Sequence, residues 1–134
     1  MPEKILITPR SFKDYAQIAY PLIKEKGYEI IENTYGRTFT EDEIIELAKD
    51  EVVGIIVGID PITSRVMTSC KKLRAISKYG VGMDNIDLIK AAELGIKVKN
   101  AVGTNNVSVA ELAICFMFVL ARNIYPIAEG VKNG

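Results

Sequence analysis

Two short segments carry residue types from which a small-molecule site could be built. Lys78-Tyr79-Gly80-Val81-Gly82-Met83-Asp84-Asn85-Ile86-Asp87 sets two glycines between an apolar run and the start of a helix. Main-chain N–H groups there can be turned outward to hold an anion. Thr104-Asn105-Asn106-Val107-Ser108-Val109 places small amide and hydroxyl side chains on a loop that leads into a very apolar helix. Glycines at a strand-to-helix turn also serve simply to admit positive φ, so spacing alone leaves the anion-binding and the conformational readings of Gly80 and Gly82 open. The segment is not the dinucleotide fingerprint, because the third glycine of G-x-G-x-x-G is replaced by Asn85, and no Walker-type sequence occurs. Asp84 and Asp87 read as helix caps rather than acids, and Ser108 as a further cap.

Composition narrows the chemistry further. None of the 134 residues is histidine, so no side chain has an unperturbed pKa near neutrality. A Ser/His/Asp triad, a Cys/His pair and the usual zinc sites are excluded, and general acid–base work would need a strongly shifted carboxylate, lysine or thiol. Seventeen basic residues balance seventeen acidic ones with no basic block, which supports neither a nucleic acid nor a membrane partner. Cys70 and Cys115, both in apolar surroundings, are expected to be reduced packing residues of a cytoplasmic protein. The opening Met1-Pro2-Glu3-Lys4 and the short aliphatic run after it do not form a signal peptide.

The elements that must position these segments alternate along the chain as apolar runs and amphipathic stretches. Ile5–Ile7 is the first strand, and Tyr15, Ile18, Ala19, Leu22 and Ile23 define the face of a helix in which Pro21 demands a kink or an early stop. Gly27 closes that helix before a strand over 28–31. Thr40-Glu41-Asp42-Glu43 is a capping box for a helix with Ile44, Ile45, Leu47 and Ala48 inward. Val53–Val57 is apolar on both faces, as a central parallel strand is. A short helix over 64–69 and a strand over 73–77 lead to the glycine segment. A helix capped by Asp87 and ended by Gly95 then precedes a peripheral strand over 96–99. The pattern predicts an α/β fold: a doubly wound, flavodoxin-like parallel sheet of five strands with helices on both faces. Ligands then lie beyond the carboxyl ends of the strands. The last helix, opened by the capping box Ser108-Val109-Ala110-Glu111, is apolar on every face through Ala121. It is too short to span a bilayer, which takes roughly 20 such residues, so it is expected to be buried all round, partly by a second domain or subunit.

Thr8-Pro9-Arg10-Ser11-Phe12, the Lys78–Asp87 segment and Ser108-Val109-Ala110-Glu111-Leu112 together resemble, in order and spacing, the N-terminal part of the D-2-hydroxyacid dehydrogenase family. The resemblance leans toward its phosphoglycerate dehydrogenase-like members. It implies that residues 1–101 form a substrate-binding lobe. Residues 102–134 then form a crossover loop and interdomain helix leading to a separate NAD-binding domain, in an enzyme that is a cytoplasmic homodimer. It also implies that the turn at Val81 and Gly82, adjoined by Lys78 and Tyr79, holds a substrate carboxylate through main-chain N–H groups. Asn105 then faces substrate and nicotinamide, with Thr104, Ser108 and Val109 beside it on the cofactor side. The family's glycine-rich loop, carboxylate-binding arginine and histidine–acid pair have no counterpart here, so no catalytic residue is assigned and the segment alone is expected to be inactive. The implied substrate is a small 2-hydroxy or 2-oxo acid. Many phosphoglycerate enzymes carry an arginine followed by serine after the third strand to help bind phosphate, where this chain has Gly58-Ile59-Asp60, which leaves Arg10 and Lys78 as the cations for a phosphorylated substrate. The competing reading is a non-catalytic regulatory or co-repressor-like module of the same fold. A metal-dependent phospho-receiver is disfavoured, since Ile7-Thr8-Pro9-Arg10 supplies no carboxylate cluster.

Overall fold

The structure, a computed structural model, describes residues 2–134. In chain order it contains β1 (Lys4–Ile7), α1 (Phe12–Tyr15), α2 (Ala19–Glu25), β2 (Glu29–Glu32), α3 (Glu41–Ala48), β3 (Val52–Val57), α4 (Ser64–Ser69) and β4 (Ala75–Lys78). There follow α5 (Leu88–Glu93), β5 (Lys97–Lys99), α6 (Asn106–Ala121) and α7 (Ile124–Asn133). The strands pair in parallel in the order β2-β1-β3-β4-β5, the flavodoxin-like order expected of the pattern. One compact unit ends at Ala101 and a second comprises Val102–Gly134.

Register explains the core of the first unit. Leu6, Ile31, Ile55, Ile76 and Val98 are mutual partners across the five strands and so share one face. Ile44 and Ala48 of α3, Val66 and Met67 of α4 and Ala91 of α5 close over that face. The opposite face carries the row Ile5, Gly54, Ala75, Lys97. There Leu22 and Ile23 of α2, with Tyr28, leave an open groove of about 500 Å³ whose floor at Ala75 and Ser77 is exposed. Helices therefore lie on both faces, but unevenly. β3 is buried at every residue but Ile56, as befits the strand with neighbours on each side.

Local chemistry sets most of the boundaries. Thr40 and Glu43 form the predicted capping box: the Glu43 N–H donates to Thr40 Oγ1 at 3.4 Å and the Thr40 N–H to Glu43 Oε2 at 2.8 Å. The Asp87 carboxylate accepts from the Lys90 N–H at 2.9 Å and starts α5. Gly27 and Gly95 end the helices before them at φ 83° and 68°.

Four expectations fail for identifiable reasons. The first predicted helix is split into α1 and α2, because a continuous helix would drive the Pro21 ring into the carbonyl of Gln17. Restarting at Ala19 puts Pro21 in a first turn, where its missing N–H costs nothing. Tyr15, Ile18 and Leu22, assigned to the buried face, are exposed. Asp84 caps no helix and lies in the loop before α5. Ser108 is not a cap either. α6 begins at Asn106, two residues earlier, since Asn and Val cost only a few tenths of a kcal/mol in a helix, and Asn105 takes the N-cap position without a side-chain cap bond. Finally, Cys115 on α6 is not packed, and this chain by itself does not bury α6, whose cover is expected to come in part from a second domain or subunit. Leu112, Phe116, Phe118 and Leu120 each expose more than half of their surface. A unit of two helices has too little mass to enclose one of them. α7, unforeseen in the sequence, follows a 64° bend at Asn123, whose φ of 52° is a conformation asparagine tolerates. No single helix among the described residues is long and apolar enough to cross a membrane.

Replacing Ile55, which is 1% exposed at the centre of the sheet, with alanine is expected to cost about 2–5 kcal/mol in urea unfolding of the chain. Ile89→Ser, at a position 77% exposed on α5, should stay within about 0.5 kcal/mol of the parent. A cost for Ile89→Ser equal to that for Ile55→Ala would mean that the assigned core is wrong.

Candidate functional site

The carboxyl ends of β1, β2 and β3 open into a cleft of about 890 Å³, with Tyr79 after β4 on its wall. Thr8, Arg10, Ser11, Lys13 and Asp14 line it from the β1 end, Glu32 to Thr34 and Gly36 to Thr38 from the β2 end, and Gly58 to Asp60 from the β3 end. β1 and β3 are adjacent strands whose connections leave in opposite directions, the switch point where open α/β sheets bind ligands.

Two polar side chains, one buried and one half-buried, organise these loops. Asp60, 2% exposed, accepts hydrogen bonds from the Thr8 hydroxyl and, at 2.8 Å, from the Phe39 N–H. Thr8 Oγ1 in turn accepts from the Gly58 N–H at 3.1 Å, and the Thr8 carbonyl from Asn33 Nδ2 at 2.8 Å. Asn85 forms the second centre. Its Nδ2 donates to the carbonyls of Asp60 (2.6 Å) and Gly58 (3.1 Å), while its Oδ1 accepts from Lys78 Nζ at 2.7 Å. Lys78 Nζ also donates to the Gly58 carbonyl. Burial pushes the Lys78 ammonium below its ordinary pKa, offset in part by the charges of Asp60 and Asp84. The sequence reading missed Asp60, Thr8, Asn33 and the Asn85 side chain as organisers. The available signal was a carboxylate three residues past the most apolar strand, where a solvated loop residue would ordinarily be expected.

The glycine turn itself is set from outside. Asn100 Nδ2 donates to the Val81 carbonyl at 2.6 Å and the Ala101 N–H to the Gly80 carbonyl at 2.9 Å, so both oxygens are engaged by the segment after β5. The N–H groups of Val81, Gly82 and Met83 donate to no group among the described residues. Three consecutive unspent donors stand on a turn that is exposed at Val81 and Gly82, where an anion could be held. The positive φ belongs to Gly80, at 143°, and not to Gly82, whose added Cβ would meet only Asp84 Oδ2 at 3.5 Å.

The sequence-predicted residues thus fall into different roles. Val81 and Gly82 supply open donors. Lys78 is fixed beneath the turn, 8% exposed, rather than offered to a ligand. Tyr79 lines the cleft while its ring packs edge-on against Phe12 with centroids 5.5 Å apart. Arg10 is exposed and donates to the Gly36 carbonyl at 2.6 Å. Arg37, a cleft residue not foreseen, is held by both carboxylate oxygens of Glu43 at 2.5 and 2.9 Å, which pushes the Glu43 carboxyl down to about 2. Thr104, Asn105, Ser108 and Val109 lie in the second unit, at the start of α6 and exposed to solvent.

Fold and cleft together are those of a flavodoxin-like α/β domain with an open cleft at a parallel-sheet switch point. Residues 7–128 match the model of the D-isomer specific 2-hydroxyacid dehydrogenase catalytic domain, and the chain belongs to that family. It is 35% identical to the D-3-phosphoglycerate dehydrogenase of Methanocaldococcus jannaschii over 131 residues, which are 98% of this chain and 24% of that protein. It is 36% identical to the hydroxypyruvate reductase of Thermotoga maritima over 94 residues, 70% of this chain and 31% of that one. The structure superposes with a TM-score of 0.73 on NAD⁺-bound 3-phosphoglycerate dehydrogenase of Entamoeba histolytica, at 27% identity over 89% of this chain and 39% of that chain. The chain therefore spans well under half the length of these relatives.

Gly80→Ala is expected to strain the turn and lower stability by about 1–2 kcal/mol, because an L side chain at φ 143° is disfavoured. Gly82→Ala should leave stability nearly unchanged. Thermal unfolding of the two variants checks this, and equal losses would contradict the assignment of the strained position.

Proposed function

We propose that this chain is the substrate-binding part of an NAD-dependent 2-hydroxyacid dehydrogenase, and that the Val81–Met83 turn holds the substrate carboxylate. The observation that carries the reading is the set of three unspent N–H groups on a turn whose carbonyls are engaged by Asn100 and Ala101. Fixed donors bind a carboxylate without reorganisation and set the orientation of the attached C2 carbon.

The first unit does not fit a dinucleotide. Where a pyrophosphate cradle needs a third glycine, Asn85 stands with its side chain committed to Lys78, Gly58 and Asp60. Thr104, Asn105, Ser108 and Val109 are assigned instead to the nicotinamide end of the cofactor, the remainder of which belongs to a further domain. NAD, when bound, would supply the hydride acceptor for C2 of the substrate. The hydroxyl proton goes to a base outside this chain, which has no histidine to take it. Residues up to Ala101 serve as the substrate lobe and those from Val102 as the crossover to the cofactor domain. The exposed apolar side chains of α6 fit burial against that domain and a second subunit in a homodimer, and the chain alone is inactive.

Titration of the ¹⁵N-labelled chain with D-glycerate is the direct test. Saturable amide shifts are expected at Val81, Gly82 and Met83, and Gly82→Val should abolish them by crowding the ligand. NAD alone should show no tight binding by calorimetry. In an assembled enzyme, Asn105→Ala should raise the barrier by roughly 1–3 kcal/mol if it loses a desolvated contact. Shifts confined to other surfaces, or tight NAD binding by residues 1–134, would overturn the reading.

A further inference from the structure

A buried cation without an anion in contact is costly, and this chain places one beside its open donors. Lys78 is 8% exposed, and among the described residues its ammonium donates only to neutral acceptors, the Gly58 carbonyl and Asn85 Oδ1. Its stem packs against the start of the glycine turn. Cε stands 3.5 Å from where a Cβ on Gly80 would lie, and the ammonium nitrogen is one bond beyond. Gly80 directly precedes Val81, Gly82 and Met83, whose N–H groups no described residue uses. Two carboxylates face the ammonium at longer range, Asp60 from the loop after β3 and Asp84 from the loop before α5. Asp60 is engaged by Thr8 and Phe39. Asp84 is exposed, and its Oδ2 lies 3.5 Å from where a Cβ on Gly82 would be, so a negative charge stands at the turn itself. Main-chain dipoles by themselves would have to hold an anion against it.

We infer that Lys78 is a positioning residue for the carboxylate: held by Gly58 and Asn85 against Gly80, its ammonium supplies the positive charge that offsets Asp84 and lets the three N–H groups retain an anion. This rests on the carboxylate-binding reading of the Val81–Met83 turn. Lys78 acts through its field and touches no ligand, and its burial leaves that field less screened than that of a surface cation. The coupling is reciprocal. A carboxylate at the turn favours the charged form of Lys78, so the complex takes up a proton wherever the free chain has begun to lose one.

Calorimetry of D-glycerate binding to the full chain, from neutral to alkaline pH and in buffers of different ionisation enthalpy, tests this. Affinity should be full while Lys78 is charged and fall about tenfold as the pH rises through its titration, the order expected for one charge a few ångströms away in a partly buried setting. Burial sets that titration below the ordinary lysine value of 10.5, and proton uptake on binding should appear in the same range. Lys78→Met should lose both the tenfold in affinity and the pH dependence. Asp84→Asn, at an exposed side chain that makes no hydrogen bond among the described residues, should tighten binding by about threefold, less than the Lys78 effect because solvent screens an exposed charge. Glycerol, which has no carboxylate, should show no pH-dependent binding. The native profile is decisive even where Lys78→Met does not fold. Saturable shifts of the turn amides with D-glycerate, but an affinity indifferent to pH and no proton uptake, would make Lys78 only a strut between loops; that overturns the inference and leaves the turn assignment standing. If D-glycerate shifts none of the turn amides, both fall.

Discussion

The ends of the strands are held together by one requirement: polar groups taken out of water at the sheet's carboxyl edge must find partners there. Asp60 and Asn85 meet it between them. Asp60 joins the loop after β1 to the segment before α3, and Asn85 joins the loop before α5 to the loop after β3 and to Lys78. No buried side-chain nitrogen or oxygen among the described residues is left without a partner. Because the network is complete, the loops of the cleft wall are tied to one another and to the strand ends.

The glycine turn is tied down in the same way. Lys78 is drawn down by Gly58 and Asn85, Tyr79 is braced against Phe12, and the carbonyls of Gly80 and Val81 are held by Ala101 and Asn100. What remains free is a row of N–H groups facing solvent. The buried lysine, whose charge burial disfavours, contributes to the field beneath the turn without touching a ligand.

How much of this the sequence disclosed follows from how local each feature is. The apolar run Val53–Val57, the box Thr40–Glu43 and the cap at Asp87 depend on near neighbours, and each behaves in the structure as its pattern predicts. The order of the strands followed from alternation and from the way parallel sheets are wound. What stayed hidden depends on distant partners. Nothing near Asp60 in the chain announces Thr8, 52 positions away, and nothing at Lys78 shows that its ammonium points back to Gly58. The glycine carrying the positive φ could not be chosen between Gly80 and Gly82, since that choice is made by Asn100 and Ala101 some twenty residues on. Ser108 misled because a good capping residue also sits acceptably inside a helix when its predecessors extend it.

The separation between Thr8 and Asp60 also bears on how the site comes into being. β1 finds β2 across a short connection, but its other neighbour, β3, lies beyond both β2 and α3, and no hairpin in this all-parallel sheet shortens the search. Closing that long loop costs chain entropy before any contact across it is gained. The bond between Thr8 and Asp60 can form only once β1 and β3 are side by side, so it belongs after the main barrier to folding rather than before it. A weakened Asp60 should accordingly hasten unfolding more than it slows folding, and the cleft is the last part of the sheet to acquire its shape.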